Sequence, residues 1–170
     1  LAGQNALMAL VIAAIMTIIL GMGMPTPAAF ALAYIFVSGT IVDLGFSVMS
    51  ANMFLLYFAV LSAMTPPVAV AAFAAAAIAD ANPLQIAVNA VRLAITAFVI
   101  PFAFVYGEGI LLIGDVAPIL HHCLTATAGV VLMAIGTEGY LRGRLPALPR
   151  ILIGLGGLFL IVPLLYSTVI

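Results

Sequence analysis

In a chain that is 67% hydrophobic and 5% charged, few groups are able to do chemistry, and two short stretches hold those best placed for it. They are Gly21-Met22-Gly23-Met24-Pro25-Thr26-Pro27 and Ser62-Ala63-Met64-Thr65-Pro66-Pro67, each set inside strongly apolar sequence. Glycine gives up helix propensity, and proline removes a donor and clashes with the preceding turn, so each stretch predicts a helix break. In a bilayer, freed backbone groups survive only where they line a wet cavity or a binding site. A half-helix ending at such a break offers carbonyls and the negative end of its dipole, and one beginning there offers amides and the positive end. The carbonyl ends, near 20 to 23 and 62 to 64, predict a site for a small cation such as sodium. Its candidate groups are Gly21 and Gly23 and the hydroxyls of Thr26, Ser62 and Thr65. The amide ends, led by Pro25, Thr26 and Pro27 and by Pro66 and Pro67, predict a carboxylate site. Broken helices holding an ion and an anionic solute at their tips are a recurrent device of secondary transporters.

The elements that must position these groups are all helical. Residues 6 to 20 predict one apolar helix and 28 to 39 a second. Twelve residues rise only about 18 Å, short of a hydrocarbon core of roughly 30 Å, so the pair fits a re-entrant hairpin, with one long kinked helix as the alternative. Asp43 and Gly45 predict a surface turn. Residues 50 to 63 and 68 to 79 form a second pair, a broken helix that crosses or doubles back. Asn82 is placed to cap a helix with Pro83 at its first position, and residues 83 to 92 are mixed in polarity, suited to the membrane interface. Further spans are expected over 93 to 113, which Pro101 would kink and Gly107, Glu108 and Gly109 could end early, and over 119 to 138, with a loop over 139 to 150 and a last apolar run over 151 to 166. On that count of crossings Arg92, Arg142, Arg144 and Arg150 share one face, which the positive-inside rule makes cytoplasmic.

Composition excludes several functions. This much apolar sequence predicts an all-α integral membrane protein, and a net charge of -1 argues against nucleic acid as a partner. Cys123 is the only cysteine, so neither an intramolecular disulfide nor a Cys-based metal site is available. His121 and His122 are adjacent and point to different sides of a helix, an arrangement that suits an interface better than a metal. Glu138 beside the arginine-rich loop is expected to be solvated or paired, and the alanines from Ala71 to Ala79 to serve close helix packing. No cofactor and no enzymatic role is expected. The start at Leu1 reads as the downstream part of a longer polypeptide.

Gly21-Met-Gly-Met-Pro-Thr-Pro-Ala-Ala-Phe30, followed by Ala59-Val-Leu-Ser-Ala-Met-Thr-Pro-Pro-Val-Ala69, resembles the second half of the large, DctM-like membrane subunit of tripartite ATP-independent periplasmic (TRAP) transporters. It is most similar to the fused permeases that work with TAXI-type binding proteins. The resemblance covers about residues 1 to 112, with Thr65 to Val68 and the alanine run its most specific features. It implies an elevator-type, sodium-coupled importer of organic acids in the bacterial inner membrane. The implied partners are a periplasmic solute-binding protein, an upstream first repeat and a small membrane subunit. Residues 1 to 112 would be the second inverted repeat, with a hairpin over 5 to 39, a broken helix over 50 to 80 and a helix over 83 to 112; residues 113 to 170 would be a C-terminal transmembrane extension. Carried over, Gly21 to Thr26 and Ser62 to Pro67 would form a sodium site and one wall of the substrate site. Where many large subunits carry an aspartate in the hairpin tip, this chain has Pro25-Thr26.

Two other classes compete. A channel of facing half-helices would also need breaks at midplane; in the aquaporin-like kind each half-helix opens with Asn-Pro-Ala, and neither break contains asparagine. A non-transporting membrane anchor would tolerate substitution at both breaks. An intramembrane protease is weaker still, because no second buried aspartate is expected to share a proton with Asp115.

Overall fold

The computed structural model describes residues 6–162, and every named element among them is helical. The chain divides by packing into two units, Leu1–Arg92 and Leu93–Ile170, each considered by itself below. This division follows contact, whereas the boundary at 112 follows resemblance.

In the first unit, α1 (Ala6–Gly21) leads to a turn and then to α2 (Thr26–Asp43). α1 packs along α2, and its contacts extend to the last turn of that arm, Gly39–Asp43. The chain therefore returns alongside itself as a helical hairpin and does not run on as one kinked rod. The second arm is longer than the expected 28 to 39. Ser38 and Gly39 keep helical dihedrals as expected, and after a π-turn over Tyr34–Ser38 the helix runs on through residues 40 to 43, which were expected to begin the surface turn. At 18 residues α2 is long and apolar enough to cross a membrane. The turn falls at Leu44 to Ser47, on the expected Gly45, which takes φ +93°.

The Ser47 hydroxyl accepts the Ser50 amide at 3.2 Å and caps α3 (Val48–Ser62). α3 presents Ala51, Phe54, Leu55, Phe58 and Ala59, all buried, at helical spacing to α1 and α2. Facing them are buried Leu10, Ala13 and Ala14 of α1 and Ala29, Ala33, Val37 and Ile41 of α2. Phe54 and Phe58 stack obliquely with ring centroids 4.8 Å apart. Ile15, Ile19, Ile35 and Phe36 lie exposed on the outer faces, as a bilayer requires and water does not.

The second half of the broken helix is α4 (Val70–Ala79), which begins two residues later than the expected 68 because Ala69 adopts a left-handed conformation at φ +35°. α4 forms no packed seam with α3 among the described residues, so the pair does not double back as the first one does. Ala69 and Ala72 are buried against Ala87 and Ile86 of α5 (Pro83–Leu93). Asn82 caps α5 as its type and place predict, its Oδ1 accepting the Leu84 and Gln85 amides at 2.9 and 3.2 Å. α4 and α5 bend by 117° at the Asp80 to Asn82 turn.

The second unit corrects an expectation. Residues 93 to 113 are not one span: 3-10 turns over Ile95–Phe98 and Glu108–Leu111 flank a short α6 (Ile100–Tyr106). Pro101 occupies the first turn of α6 and cannot donate to a preceding helix, and Gly107, extended at φ -148°, stops it. The count of crossings that gathered all four arginines on one face relied on that span and loses its footing. α7 (Val116–Glu138), 23 residues, is long enough to cross, with Asp115 at its N-cap. Its partner α8 (Ala147–Ile161) takes in the end of the expected loop; residues 163 to 166 of the expected run lie outside the described residues.

α7 and α8 form the tightest seam of the unit. A Cβ at Gly136 would lie 2.6 Å from the Gly154 Cα, and one at Gly129 would lie 2.8 Å from the Gly157 carbonyl oxygen. The backbones therefore touch, the close approach that small residues permit in membranes. Arg150 closes the open end: its Nε donates to the Gly136 carbonyl at 2.8 Å, and the same guanidinium donates to the Thr137 carbonyl. Instead of pairing with Glu138, it satisfies the last carbonyls of α7.

Candidate functional site

The first break is built by Gly23 and Pro25. Gly23, at φ +78°, turns the chain out of α1, and Pro25 at ψ 141° starts α2 with Pro27 in its first turn. The Met22 amide bonds the Ile19 carbonyl at 3.3 Å and the Met24 amide the Gly21 carbonyl at 3.2 Å. Among the described residues the carbonyls of Leu20, Met22 and Gly23 take no backbone hydrogen bond, so oxygen is offered on the expected side of this break. On the amide side Ala28 and Ala29 both donate to the Pro25 carbonyl, and Pro25 and Pro27 carry no N–H; the Thr26 amide is the donor left over.

The second break is wider. Ala63, Met64 and Thr65 amides bond carbonyls three residues back at 3.2, 3.2 and 3.3 Å, tightening the end of α3. The Ser62 hydroxyl donates to the Ala59 carbonyl at 2.7 Å and the Thr65 hydroxyl to the Leu61 carbonyl at 2.8 Å. Each hydroxyl proton is thus committed to the helix, which leaves the oxygen lone pairs as the free face, the polarity a cation needs. A cis Pro66-Pro67 peptide follows, and the Ala71 amide bonds back to the Ala63 carbonyl at 3.0 Å, stitching the start of α4 to the end of α3. The carbonyls of Ser62 and Ala63 already accept one bond each, so the freer oxygens are those of the first break. Pro66 and Pro67 have no amide to give; the unengaged donors beside them are Val68 and Val70.

The two breaks meet. Gly21 is buried, and a Cβ there would run into the Ser62 hydroxyl and lie 2.9 Å from the Ser62 Cβ and 3.2 Å from the Ala29 Cβ. A Cβ at Gly23 would lie 3.4 Å from Val68 Cγ1. Of the predicted residues, Gly21 and Ser62 are in direct apposition and Gly23 abuts the second break. Thr65 and Pro66 are half-buried within it, Pro67 is exposed, and Pro25, Thr26 and Pro27 flank the junction from the start of α2. Ser62 is only 1% exposed.

One further hydroxyl belongs to this neighbourhood. Thr17, one turn before Gly21 on α1, is fully buried and donates to the Ala13 carbonyl at 2.8 Å. Its spacing of four from Gly21 places both on one helix face, a signal present in the sequence that the search for breaks passed over. No Asp, Glu, Lys or Arg other than Asp43 occurs between residues 6 and 79, so any field at the junction comes from backbone dipoles and hydroxyls. Two depressions in the surface lie between α7 and α8 and beside Leu84 to Asn89 on α5. Among the described residues no cluster of three or more His, Cys, Asp or Glu could hold a metal, which leaves main-chain and hydroxyl oxygen as the ligand chemistry on offer.

No curated protein and no solved structure matches the chain. The model of one family does: the DctM component of tripartite ATP-independent periplasmic transporters, over residues 1–119, a stretch that contains both breaks, α1 to α5 and the short turns up to α7. With a helical hairpin and a broken helix meeting at their interruptions inside an apolar fold, the chain belongs to the family of that permease component.

Proposed function

We propose that the chain is the second-repeat part of a sodium-coupled importer of organic acids, multi-pass in the bacterial inner membrane and of the fused, TAXI-associated kind. It would be completed by an upstream repeat and a small membrane subunit and supplied by a periplasmic binding protein. The observation that supports this most is the apposition of Gly21 with Ser62, which brings two helix interruptions to one place. Sodium would take oxygens from the Leu20 to Gly23 turn and from Ser62 and Thr65, with Gly21 and Gly23 letting the turn approach. The acid would take its hydrogen bonds from the amides beside Pro25 to Pro27 and Pro66 to Pro67, those of Thr26, Val68 and Val70.

Coupling follows from the absence of formal charge. A carboxylate entering a weakly polar site alone loses hydration that a few amides replace incompletely. A sodium ion a few ångströms away attracts it by several kcal/mol at an effective dielectric of about 20. Each ligand therefore raises the affinity of the other by the same factor. A charged side chain in the pocket would weaken that dependence, and this chain has none there.

The test is uptake by the intact transporter in proteoliposomes, with its binding protein, driven by a sodium gradient. Thr65→Val and Ser62→Ala should each raise the sodium concentration for half-maximal uptake by about tenfold, the order of one charge-assisted ligand contact. Replacing sodium with choline should stop transport. Uptake that keeps its sodium dependence in both variants, or runs without sodium, overturns the proposal and favours a channel or an anchor.

A further inference from the structure

The geometry points to a binding site for one anionic phospholipid on the α7–α8 hairpin, its headgroup phosphate at Arg150 and an acyl chain in the groove below. The groove holds about 300 Å³, and Arg150 and Thr137 stand at its head with Met133, Ile151, Leu155 and Leu158 below. Gly136 and Gly154 form its floor, where missing side chains leave the two backbones as a trough. The groove is almost wholly apolar and the polar groups stand on the loop at its head, the order of polarity along a lipid.

The depth matches too. At 1.5 Å per residue α7 is about 34 Å long, enough to cross a core of roughly 30 Å, so the loop at its end sits in the headgroup layer. From Arg150 to Leu158 the groove descends about 12 Å, into the acyl region. Arg150 is held in place by its bonds to the Gly136 and Thr137 carbonyls and by packing across Gly139, whose missing Cβ leaves room for the guanidinium. Those two bonds use two of its five N–H groups, and the rest remain for a phosphate. Arg142 and Arg144 are exposed on the same loop, and a Tyr140–Arg144 bridge closes it with the Tyr140 ring exposed, as in an interfacial anchor. Against these three arginines stands one exposed carboxylate, Glu138, so the head of the groove stays net positive and charge complementarity selects an anionic lipid over a zwitterionic one.

The experiment is native mass spectrometry of the full chain released from mixed micelles of phosphatidylglycerol and phosphatidylcholine. The expected result is one retained lipid, phosphatidylglycerol preferred by about tenfold. Gly154→Leu fills the groove without disturbing the seam, since a Cβ there meets nothing nearer than the Gly136 Cα at 3.8 Å. It should abolish retention while helix content and thermal unfolding stay as in the parent. Gly156→Leu, at a position with open space and outside the groove, should retain the lipid. Arg142→Gln and Arg144→Gln should each lower the preference about fivefold, the worth of one basic residue near an anionic surface. Equal retention of both lipids, or undiminished retention in Gly154→Leu, overturns the proposal. So does a protein cross-linked through a photoreactive group at Leu155 in place of a lipid.

Discussion

Replacing Gly21 with alanine tests whether the two interruptions are pressed together as described. Gly21 keeps helical dihedrals, so alanine meets no backbone penalty and would gain up to about 1 kcal/mol of helix propensity in open space. Its Cβ, however, would overlap the Ser62 hydroxyl and stand 2.9 Å from the Ser62 Cβ, with the Ala29 Cβ at 3.2 Å on the other side. Ser62 is fixed by its bond to the Ala59 carbonyl and Ala29 by burial, so neither yields cheaply. Overpacking of this kind costs about 1 to 3 kcal/mol, which outweighs the propensity gain. Gly21→Ala should therefore destabilise by about 1 kcal/mol or more net, read as a lowered unfolding midpoint in mild detergent. Ser62→Gly removes both overlapping atoms, and in the double variant the loss should shrink to a coupling of about 1 to 2 kcal/mol in a double-mutant cycle. Transport separates packing from ligation: the double variant should fold while its sodium half-saturation stays raised, because the hydroxyl is gone. Strictly additive effects, or a Gly21→Ala protein as stable as the parent, would refute the apposition.

Three other outcomes follow from the same contacts. Gly136→Ala should loosen the α7–α8 seam by about 1 to 3 kcal/mol, whereas Gly154→Ala, across the same contact, should be nearly neutral, which thermal unfolding of the two variants decides. Asn82→Ala should cost about 1 kcal/mol by freeing the Leu84 and Gln85 amides, and Asn82→Asp should restore it, monitored by hydrogen exchange at those amides. Thr17→Val should weaken sodium dependence far less than Thr65→Val, since the Thr17 hydroxyl is buried within the hairpin while Thr65 stands half-exposed at the break; equal effects would move the cation site one turn back along α1.

The sequence shows the breaks and hides what lies across from them. Glycine and proline act locally, so the ends of α1 and α3 and the Asn82 cap were legible from residue type alone. Continuation of α2 past Gly39 to Asp43 was not, because Thr40 and Asp43 are weak helix formers by type and it is packing against α1 and α3 that holds the last turn. Residues 93 to 113 are the opposite case: their apolar composition suits a span, and Pro101 and the Gly107 to Gly109 stretch, which predict a kink or an early end, carry enough local cost to divide it. The alanine run advertised close packing, yet the closest backbone approach belongs to four glycines spread over α7 and α8, a pattern that shows only when both helices are laid side by side.

Glycine is used in the same way at both places, to let backbones approach, and yet only one of them makes a candidate site for transport. At Gly136 the opposing atom is the Cα of another glycine, and the carbonyls at the helix end are already claimed by Arg150. Nothing is left over for a ligand within the seam itself. At Gly21 the opposing atom is a hydroxyl oxygen whose proton is committed elsewhere, beside a turn with unclaimed carbonyls and near a second turn with unclaimed amides. On the proposed reading, a surplus of both signs in a stretch without formal charge other than Asp43 suits a cation and an anion brought in together. It is this surplus, and not the presence of glycine or proline, that distinguishes a break able to bind solute from one that merely packs.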